Sequence, residues 1–219
     1  MINYLLSKYP AGWVEVMGSV SVQVAYLLFG LCLECLRSPY KTSTSPKMII
    51  QSLRNHLIAT VIHVAFETWK AGGSVLTRTF ILPFTPPSIH EIIRDLTIGL
   101  LMRNVMFWAI HRLWHIPGIF KWVHAKHHEV KYPGNYHLWT ISYMTVVDFV
   151  FLYGLPVITV AKTLEMNIIT TLLFAFISAV GEQMKLVWGD KAHDEHHQNG
   201  TVNLGCYGVM DKIFRTSSL

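Results

Sequence analysis

Eight of the twelve histidines in this 219-residue chain fall into three short clusters. The first cluster has the spacing H-x-x-x-H, and the second and third both read H-x-x-H-H. Residues three or four positions apart lie on one face of a helix, so each cluster can turn its imidazoles toward a common point. Neutral imidazole is the commonest metal-binding side chain. The predicted metal ligands and catalytic residues are His111, His115, His124, His127, His128, His193, His196 and His197.

The number of histidines indicates two metal ions. Structural zinc uses four protein ligands and catalytic zinc uses three plus water, so one zinc ion cannot use eight imidazoles. Imidazole also binds iron, copper and nickel, so the ligand type alone does not choose the metal. The clusters adjoin apolar segments and no serine or cysteine nucleophile motif lies near them, which favours a substrate with an apolar reactive part. Oxidation of an unactivated C–H bond needs a redox-active metal, which zinc is not.

Five apolar segments must position these clusters. Hydrophobic residues make up 52% of the chain and charged residues only 14%, whereas soluble proteins average about 25% charged residues. The first segment is long enough to cross a hydrocarbon core about 30 Å thick. The segments are residues 13–36, 48–69, 92–110, 138–160 and 166–188.

The pattern predicts an all-α, integral-membrane bundle of four to five helices with one polar, histidine-rich face. Polar residues interrupt the segment 48–69, so it is expected to be amphipathic or packed inside the bundle. The last two segments are expected to form a helical hairpin. Residues 1–89 would form the N-terminal helices and loops, and residues 90–219 the catalytic region of a single domain.

Charge and cysteine content limit the other functions. The net charge is +5, but no basic run alternates with aromatic residues, so nucleic-acid binding is not expected. The connector 37–47 carries only basic charges, as cytoplasmic loops do. The start of the chain does not have the pattern of a secretory signal peptide. Three cysteines cannot form a disulfide framework, which fits a reducing environment, and Cys32 and Cys35 are expected to be packing thiols.

The three boxes, in this order, resemble those of the fatty acid hydroxylase/sterol desaturase superfamily. The similarity extends over NVMFWAIHRLWH at 104–115, HAKHHEVKYPGNYHLWTISYMTVVDF at 124–149 and HDEHHQNGTVNLGCYGVMDKIFRT at 193–216. Within it, YMTVVDF at 143–149 is similar to sterol-acting members of the cholesterol 25-hydroxylase type. The tail residues that carry the resemblance are Asn203, Gly205, Asp211, Phe214 and Thr216.

The resemblance implies a four-helix-type membrane fold with a di-iron site facing the cytosol, in the endoplasmic reticulum. It further implies dioxygen as the oxidant and a cytochrome b5-like electron donor as a partner. The substrate would be a membrane lipid, either a sterol or a fatty acyl chain. The product would be an alcohol or an alkene.

The chain departs from the family pattern at several positions. Asn104 stands where the family commonly has aspartate, and Phe214-Arg215-Thr216 stands where Phe-Gly-Thr is usual. Residues 180–187 contain no histidine, although the family often has one there, and carry Glu182 instead. The ligand set could therefore be incomplete, with His137 as a possible replacement and Asp148 or Glu182 as possible carboxylate ligands.

Other polar and aromatic residues have less specific interpretations. Asp194, Glu195 and Asp211 are candidates for orienting imidazole N–H groups. His56, His63 and His90 are expected to be hydrogen-bonded polar residues outside the site. Interfacial anchoring is the favoured role for Trp108, Trp114, Trp122 and Trp139.

Two other functions are compatible with the sequence. A zinc-dependent membrane hydrolase could use some of the histidines with a metal-bound water, although the H-E-x-x-H pattern is absent from the sequence. A degenerate paralogue could keep the bundle and bind metal or lipid without turnover.

Overall fold

The computed structural model describes residues 11–36, 45–70, 85–130, 138–188 and 191–218. Within these ranges the regular structure consists of ten α-helices, one short 3-10 helix and one π-helical turn, and none of these residues forms a strand. The all-α class is therefore confirmed for the described part of the chain. Most of the connector 37–47 lies outside the described residues, and so does His137.

The long helices are α1 (Ala11–Leu36), α2 (Pro46–Lys70), α3 (Ile89–Trp114) and α8 (Ile168–Trp188). The shorter ones are α4 (Pro117–Val123), α5 (Leu138–Ile141), α6 (Val146–Phe149), α7 (Leu155–Thr163), α9 (Lys191–Gln198) and α10 (Val209–Phe214). The 3-10 helix His127–Glu129 follows α4, and the π turn Val150–Gly154 joins α6 to α7.

The long helices pack as a bundle around a shared interior. α1 contacts α2 and α8, while α3 contacts α7 and α8. α1 and α8 pack closely, because a Cβ added at Gly18 would lie 2.8 Å from the Leu172 side chain. Further along the same pair, the Gln183 side chain donates to the Tyr26 carbonyl at 3.0 Å. α7 and α8 are in contact, which confirms the predicted hairpin.

Two helical stretches are long and apolar enough to cross a membrane. They are Val16–Leu33 in α1 and Val146–Thr163, which runs from α6 into α7. Each has 18 residues, which corresponds to about 27 Å of helix and approaches the thickness of a hydrocarbon core. Ile168–Met184 in α8 is a shorter apolar helix. The number of membrane crossings in the bundle stays a prediction.

Helix α2 buries polar side chains and exposes apolar ones, the opposite of a surface helix in a soluble protein. Its polar side chains Gln51, Ser52 and Asn55 are buried, while large apolar side chains such as Leu57 and Val61 are exposed. The buried amides bond the chain next to α5: Asn55 Nδ2 donates to the carbonyls of Ser142 and Met144 at 2.9 and 3.0 Å. A helix of this kind gains stability where its outer face meets an apolar environment rather than water.

Helix α3 is the longest element that reaches the histidines, and the sequence explains where it begins and where it ends. Ser88 is the N-cap, and its hydroxyl and backbone form a reciprocal capping box with Glu91. The helix therefore starts at Ile89, three residues earlier than the apolar pattern 92–110 predicts. It ends at Trp114, three residues before Pro117 opens α4.

The prediction of one continuous helix over 138–160 is wrong. α5 ends at Ile141, and a new helix begins after Thr145, whose hydroxyl accepts from the Asp148 N–H as an N-cap. A π turn then inserts one extra residue into the ladder before α7. The break directs Asp148 toward the histidines while the following helix turns into the bundle.

Candidate metal centre

The structure brings all eight predicted histidines together in two adjacent groups. We call the first the five-histidine cluster, and its members are His111, His115, His124, His128 and His196. We call the second the three-histidine cluster, and its members are His127, His193 and His197. Within each cluster, one nitrogen from every imidazole lies within 4.8 Å of the others.

The clusters do not follow the sequence boxes, because both H-x-x-H-H boxes are divided between them. The pair His124 and His128 belongs to the five-histidine cluster, and His127 between them belongs to the other. In the last box the pair His193 and His197 belongs to the three-histidine cluster, while His196 crosses to the first. Each i, i+4 pair stays together, and the remaining histidine points to the neighbouring group.

The middle box is not α-helical, contrary to the prediction. α4 ends at Val123, and a turn through Ala125 leads into the 3-10 helix that starts at His127. The turn is closed by the His127 N–H donating to the His124 carbonyl at 2.9 Å. A 3-10 turn has three residues per turn rather than 3.6, which gives successive histidines directions different from those of an α-helix.

Hydrogen bonds fix the tautomers of three imidazoles in the five-histidine cluster. Nδ1 of His111 lies 2.7 Å from the Leu204 carbonyl, and Nδ1 of His196 lies 2.8 Å from the Val202 carbonyl. Nδ1 of His124 lies 2.7 Å from the Asp148 carboxylate. Backbone carbonyls only accept hydrogen bonds, so Nδ1 of His111 and of His196 carries the proton and Nε2 presents a lone pair. The same holds for His124 when Asp148 is ionised.

The consequence is a contact that hydrogen bonding cannot satisfy. Nε2 of His111 and Nε2 of His124 are 2.9 Å apart, and both are acceptors in these tautomers. Nε2 of His115 and of His128 are also buried without a hydrogen-bond partner. Buried lone pairs that converge in this way are stabilised by a cation between them, so the donor set fits a bound metal ion.

The surroundings keep these imidazoles neutral, which is the form that binds metal. Burial, reinforced by neighbouring imidazoles, lowers the pKa of His115 to about 3 and that of His127 to about 4. The same two causes lower the pKa of His128 to about 2 and move the pKa of His197 far below its usual range. All four lone pairs are therefore available at neutral pH.

The two clusters are close enough to hold a pair of ions. The rings of His128 and His197, one from each cluster, stack with their centroids 4.3 Å apart. The rings of His196 and His197 are 5.8 Å apart, and those of His127 and His128 are 5.9 Å apart. The geometry agrees with the predicted binuclear site, while metal binding by each residue stays a prediction.

The structure shows which groups three of the carboxylates considered in the sequence analysis bond. Asp148 is fully buried behind His124 and bonds its Nδ1, so it orients the His124 imidazole. Asp211 accepts from the backbone N–H groups of Leu204 and Gly205 at 2.8 and 2.9 Å. It thereby shapes the loop whose Leu204 carbonyl bonds His111. Glu195 bonds Asn203 at 3.2 Å, and a role for Asp194 stays a prediction.

Glu182 does not supplement the histidines. Its carboxylate lies 3.6 Å from the Arg103 guanidinium, and both side chains are buried. Neither residue belongs to the two groups of described residues that could hold a metal ion. The prediction of Glu182 as a possible metal ligand is therefore wrong, and Asn104, also buried, contacts the tail loop near Gly205.

Some supporting residues could not be recognised from the sequence. A Cβ added at Gly200 would lie 2.8 Å from His115 Nδ1, so this glycine lets the tail loop pack against the His115 imidazole. The carbonyls of Val202 and Leu204 belong to the backbone and leave no side-chain signal. Only the spacing of Asn203, Gly205 and Asp211 after the last box indicates that an ordered loop follows.

Two of the four tryptophans near the boxes pack inside the protein. Trp108 stacks on Phe214 with centroids 4.3 Å apart, and Trp114 is buried. Trp122 is 76% exposed. Interfacial anchoring therefore fits Trp122, and it is wrong for Trp108 and Trp114. Cys32 and Cys35 are exposed on α1, so the expectation that they are packing thiols is also wrong.

A cavity of about 550 Å³ lies inside the bundle beside the histidines. Its wall is mostly apolar and includes Phe149 and Tyr153. His56 and His63 line this cavity and are not part of either cluster, and His56 bonds the Gln23 side chain. The expectation that both lie outside the metal site agrees with their positions.

The sequence profile of a family described as fatty acid hydroxylase matches residues 96–216. Fatty acid hydroxylase ahd1 of Mycosarcoma maydis is 27% identical over 179 residues, which cover 78% of this chain and 44% of that protein. Fatty acid hydroxylase domain-containing protein 2 of Homo sapiens is 28% identical over 141 residues, which cover 61% of this chain and 41% of that protein. The chain thus spans less than half the length of these relatives. No solved structure gives a significant match.

Proposed function

The chain belongs to the fatty acid hydroxylase family, and from this premise we propose that it is a membrane-bound di-iron oxygenase of lipids. It would use dioxygen to hydroxylate or desaturate a C–H bond of a sterol or a fatty acyl chain. The observation that carries the proposal is the convergence of imidazole lone pairs, above all those of His111 and His124 at 2.9 Å. Bound iron would supply the redox chemistry that activates dioxygen.

The protein's own residues prepare the ligands before metal arrives. Asp148 and the Leu204 and Val202 carbonyls hold three protons on Nδ1, so that Nε2 of each ring faces the ion. Such hydrogen bonds also raise the basicity of the imidazoles. Burial of His124 and His196 excludes water from one side of the site.

The overall reaction sets what else the protein needs. Hydroxylation places one oxygen atom of dioxygen in the lipid and reduces the other to water, which consumes two electrons and two protons. A cytochrome b5-like protein is the proposed electron donor, at a site facing the cytosol in the endoplasmic reticulum. Exposed cations at the histidine end support this pairing because an acidic partner would be steered toward them. These cations are Arg112, Lys121, Lys191, Lys212 and Arg215.

The cavity supports an apolar substrate. Its volume is within the usual range of small-molecule sites, and its wall is formed mainly by aliphatic and aromatic side chains. It lies between helices that include both stretches of membrane-spanning length. A lipid could therefore enter the cavity from the bilayer and bind with its reactive carbon near the histidines.

The decisive experiment is elemental analysis of detergent-purified protein from iron-supplied cells, combined with lipid profiling of the host. Wild type is compared with the double variant His124→Ala/His193→Ala, which removes one ligand from each cluster. His90→Ala is the matched control because His90 is exposed at the start of α3. Wild type and control are expected to contain about two irons per chain and to form an oxidised lipid that the double variant does not form.

Other outcomes would contradict the proposal in distinct ways. Zinc alone in iron-supplied preparations would favour a hydrolase. Two irons without any oxidised lipid in a host shown to contain sterols and fatty acyl lipids would favour a metal-binding paralogue without turnover. Protein without metal in all three forms would remove the basis for the metal centre.

A further inference from the structure

The cavity beside the histidines has two chemically different ends. We define its inner end as the part lined by Tyr26, His56, Arg103, Phe149, Tyr153 and Glu182, and its outer end as the part lined by Lys162, Glu165, Met166 and Ile168. Phe149 and Lys162 are 13 positions apart in nearly continuous helix, which corresponds to about 20 Å. The wall between the ends includes Val157, Ile158, Ala161 and Ala175, all apolar.

The inner end adjoins the metal centre through two aromatic rings. The Phe107 ring is 5.9 Å from the Tyr153 ring on the cavity side and 5.4 Å from the His111 ring on the metal side. Phe149, which also lines the inner end, directly follows Asp148 in the chain, and Asp148 bonds His124. One layer of aromatic side chains therefore separates the inner end from the five-histidine cluster.

The inner end is polar in a way that packing alone does not require. Arg103 is 1% exposed, and its Nε has no hydrogen-bond partner. Its guanidinium is 3.6 Å from the Glu182 carboxylate, longer than a normal charged hydrogen bond. Ionisable side chains buried among apolar helices are costly and commonly mark a binding site. The alternative is a tie between α3 and α8, but that role would not place the pair on a cavity wall.

From this arrangement we propose that the substrate binds with its polar end at Arg103, Glu182 and Tyr153, and with its apolar chain directed toward Met166. The ligand class is a lipid with a small neutral polar end such as a hydroxyl, because Glu182 already balances the charge of Arg103. In this orientation the C–H bonds nearest the histidines would be those close to the polar end. That these bonds are the ones oxidised rests on the proposed function.

The opposite orientation is disfavoured by the outer end. Lys162 and Glu165 are exposed there, so they already have solvent or lipid headgroups as partners. A polar group placed beside them would gain little, whereas at the inner end it would meet the buried pair Arg103 and Glu182 and the Tyr153 side chain. A lipid in that orientation would present the end of its apolar chain to the metals.

Photocrosslinking tests the orientation without depending on metal or turnover. The full chain in detergent is irradiated with either of two long-chain primary alcohols, one with a diazirine next to the hydroxyl and one with a diazirine near the methyl end. Labelled residues are identified by mass spectrometry. The first probe is expected to label the segment around Phe149 and Tyr153, and the second to label the segment around Met166 and Leu172.

Matched variants sharpen the result. The paired change Arg103→Met with Glu182→Leu removes the polar group without leaving an unpaired charge, and it should lower inner-end labelling about tenfold, as loss of a buried hydrogen bond does. His90→Ala, at an exposed position that does not line the cavity, should leave labelling unchanged. The two probes on wild type decide the orientation even if the paired variant fails to fold.

The outcomes separate this inference from the proposed function. A reversed pattern, an identical pattern for both probes, or no labelling of the cavity would overturn the inference while leaving the metal analysis and lipid profile intact. The expected pattern in a protein that contains no iron would support the binding orientation and contradict the oxygenase.

Discussion

The two histidine clusters differ in how many ligands they contain and in how deeply these are buried. The first has five imidazoles, of which His111, His124 and His196 are buried and held by hydrogen bonds to Nδ1. The second has three imidazoles among the described residues, and only His127 of these is buried. Ligand number decides how many positions on an ion stay open to other molecules.

The difference teaches that the two ions would have unequal tasks. An ion with five imidazoles is close to a full octahedral set and has little room for a further ligand. An ion with three imidazoles keeps open positions, as catalytic sites do. We therefore expect the five-histidine cluster to hold its ion more tightly and the three-histidine cluster to offer the accessible metal.

The largest effect should come from removing a ligand of the smaller cluster. His193→Ala leaves two imidazoles there, too few to retain an ion, so about one iron per chain and nearly all turnover should be lost. His115→Ala leaves four imidazoles in the larger cluster and should retain both ions at saturating iron. Elemental analysis after dialysis measures the difference, and equal losses in both variants would break the comparison.

A second, smaller effect concerns the carboxylate behind His124. Asp148→Asn should weaken the affinity of the five-histidine cluster by roughly 10–100-fold, since an amide supports the imidazole less well than a carboxylate. The measurement is a chelator titration in the His193→Ala background, where a single ion remains. Asp95→Asn, a change at a buried carboxylate paired with Arg94, is the control. Unchanged affinity would show that Asp148 does not support the ligand.

A third effect tests the packing of the tail loop on His115. Gly200→Ala would bring a methyl group to 2.8 Å from His115 Nδ1, so the ring must move. Iron affinity in the same background should fall by about tenfold or less, because four other imidazoles remain. Gly118→Ala is the matched control, since a Cβ there meets nothing within 4 Å. A similar loss in both variants would rule out a specific contact.

The smallest effect concerns stability alone. Arg215 has φ +55°, in the left-handed region that favours glycine. Arg215→Gly should raise the free energy of unfolding by about 1 kcal/mol through relief of this strain. Thermal unfolding in detergent measures it, with Lys212→Gly as a control that should destabilise the helical turn of α10. Lower stability of Arg215→Gly would mean that the arginine side chain compensates for its backbone.

The sequence was sufficient for the helical class and for the set of histidines that the structure brings together, because both depend on local spacing. Apolar runs of about 20 residues and the i, i+4 histidine pairs each have one simple structural explanation. Thr145, by contrast, starts a new helix within an apolar run, and hydropathy does not register such a break. The position of Glu182 also gave a wrong prediction. It lies in the stretch where a further metal ligand was considered, but its carboxylate faces Arg103.

The division of the boxes between the clusters could not be predicted from spacing. It depends on the 3-10 turn at His127 and on the direction in which α9 approaches, and both are set by tertiary contacts. The hydrogen-bond acceptors at Val202 and Leu204 are backbone groups and carry no residue preference. Asp148 had a signal, an acid in an apolar run, but the sequence could not tell a ligand from a group behind one.

The adjacency of His127 and His128 has a consequence for the order of assembly. These neighbours in the chain belong to different clusters, so an ion that fixes one imidazole also fixes the backbone of the other. The entropy lost in ordering that backbone is then spent only once, on the first ion. Iron should consequently bind with positive cooperativity, and partly loaded chains should be rarer than independent sites would give.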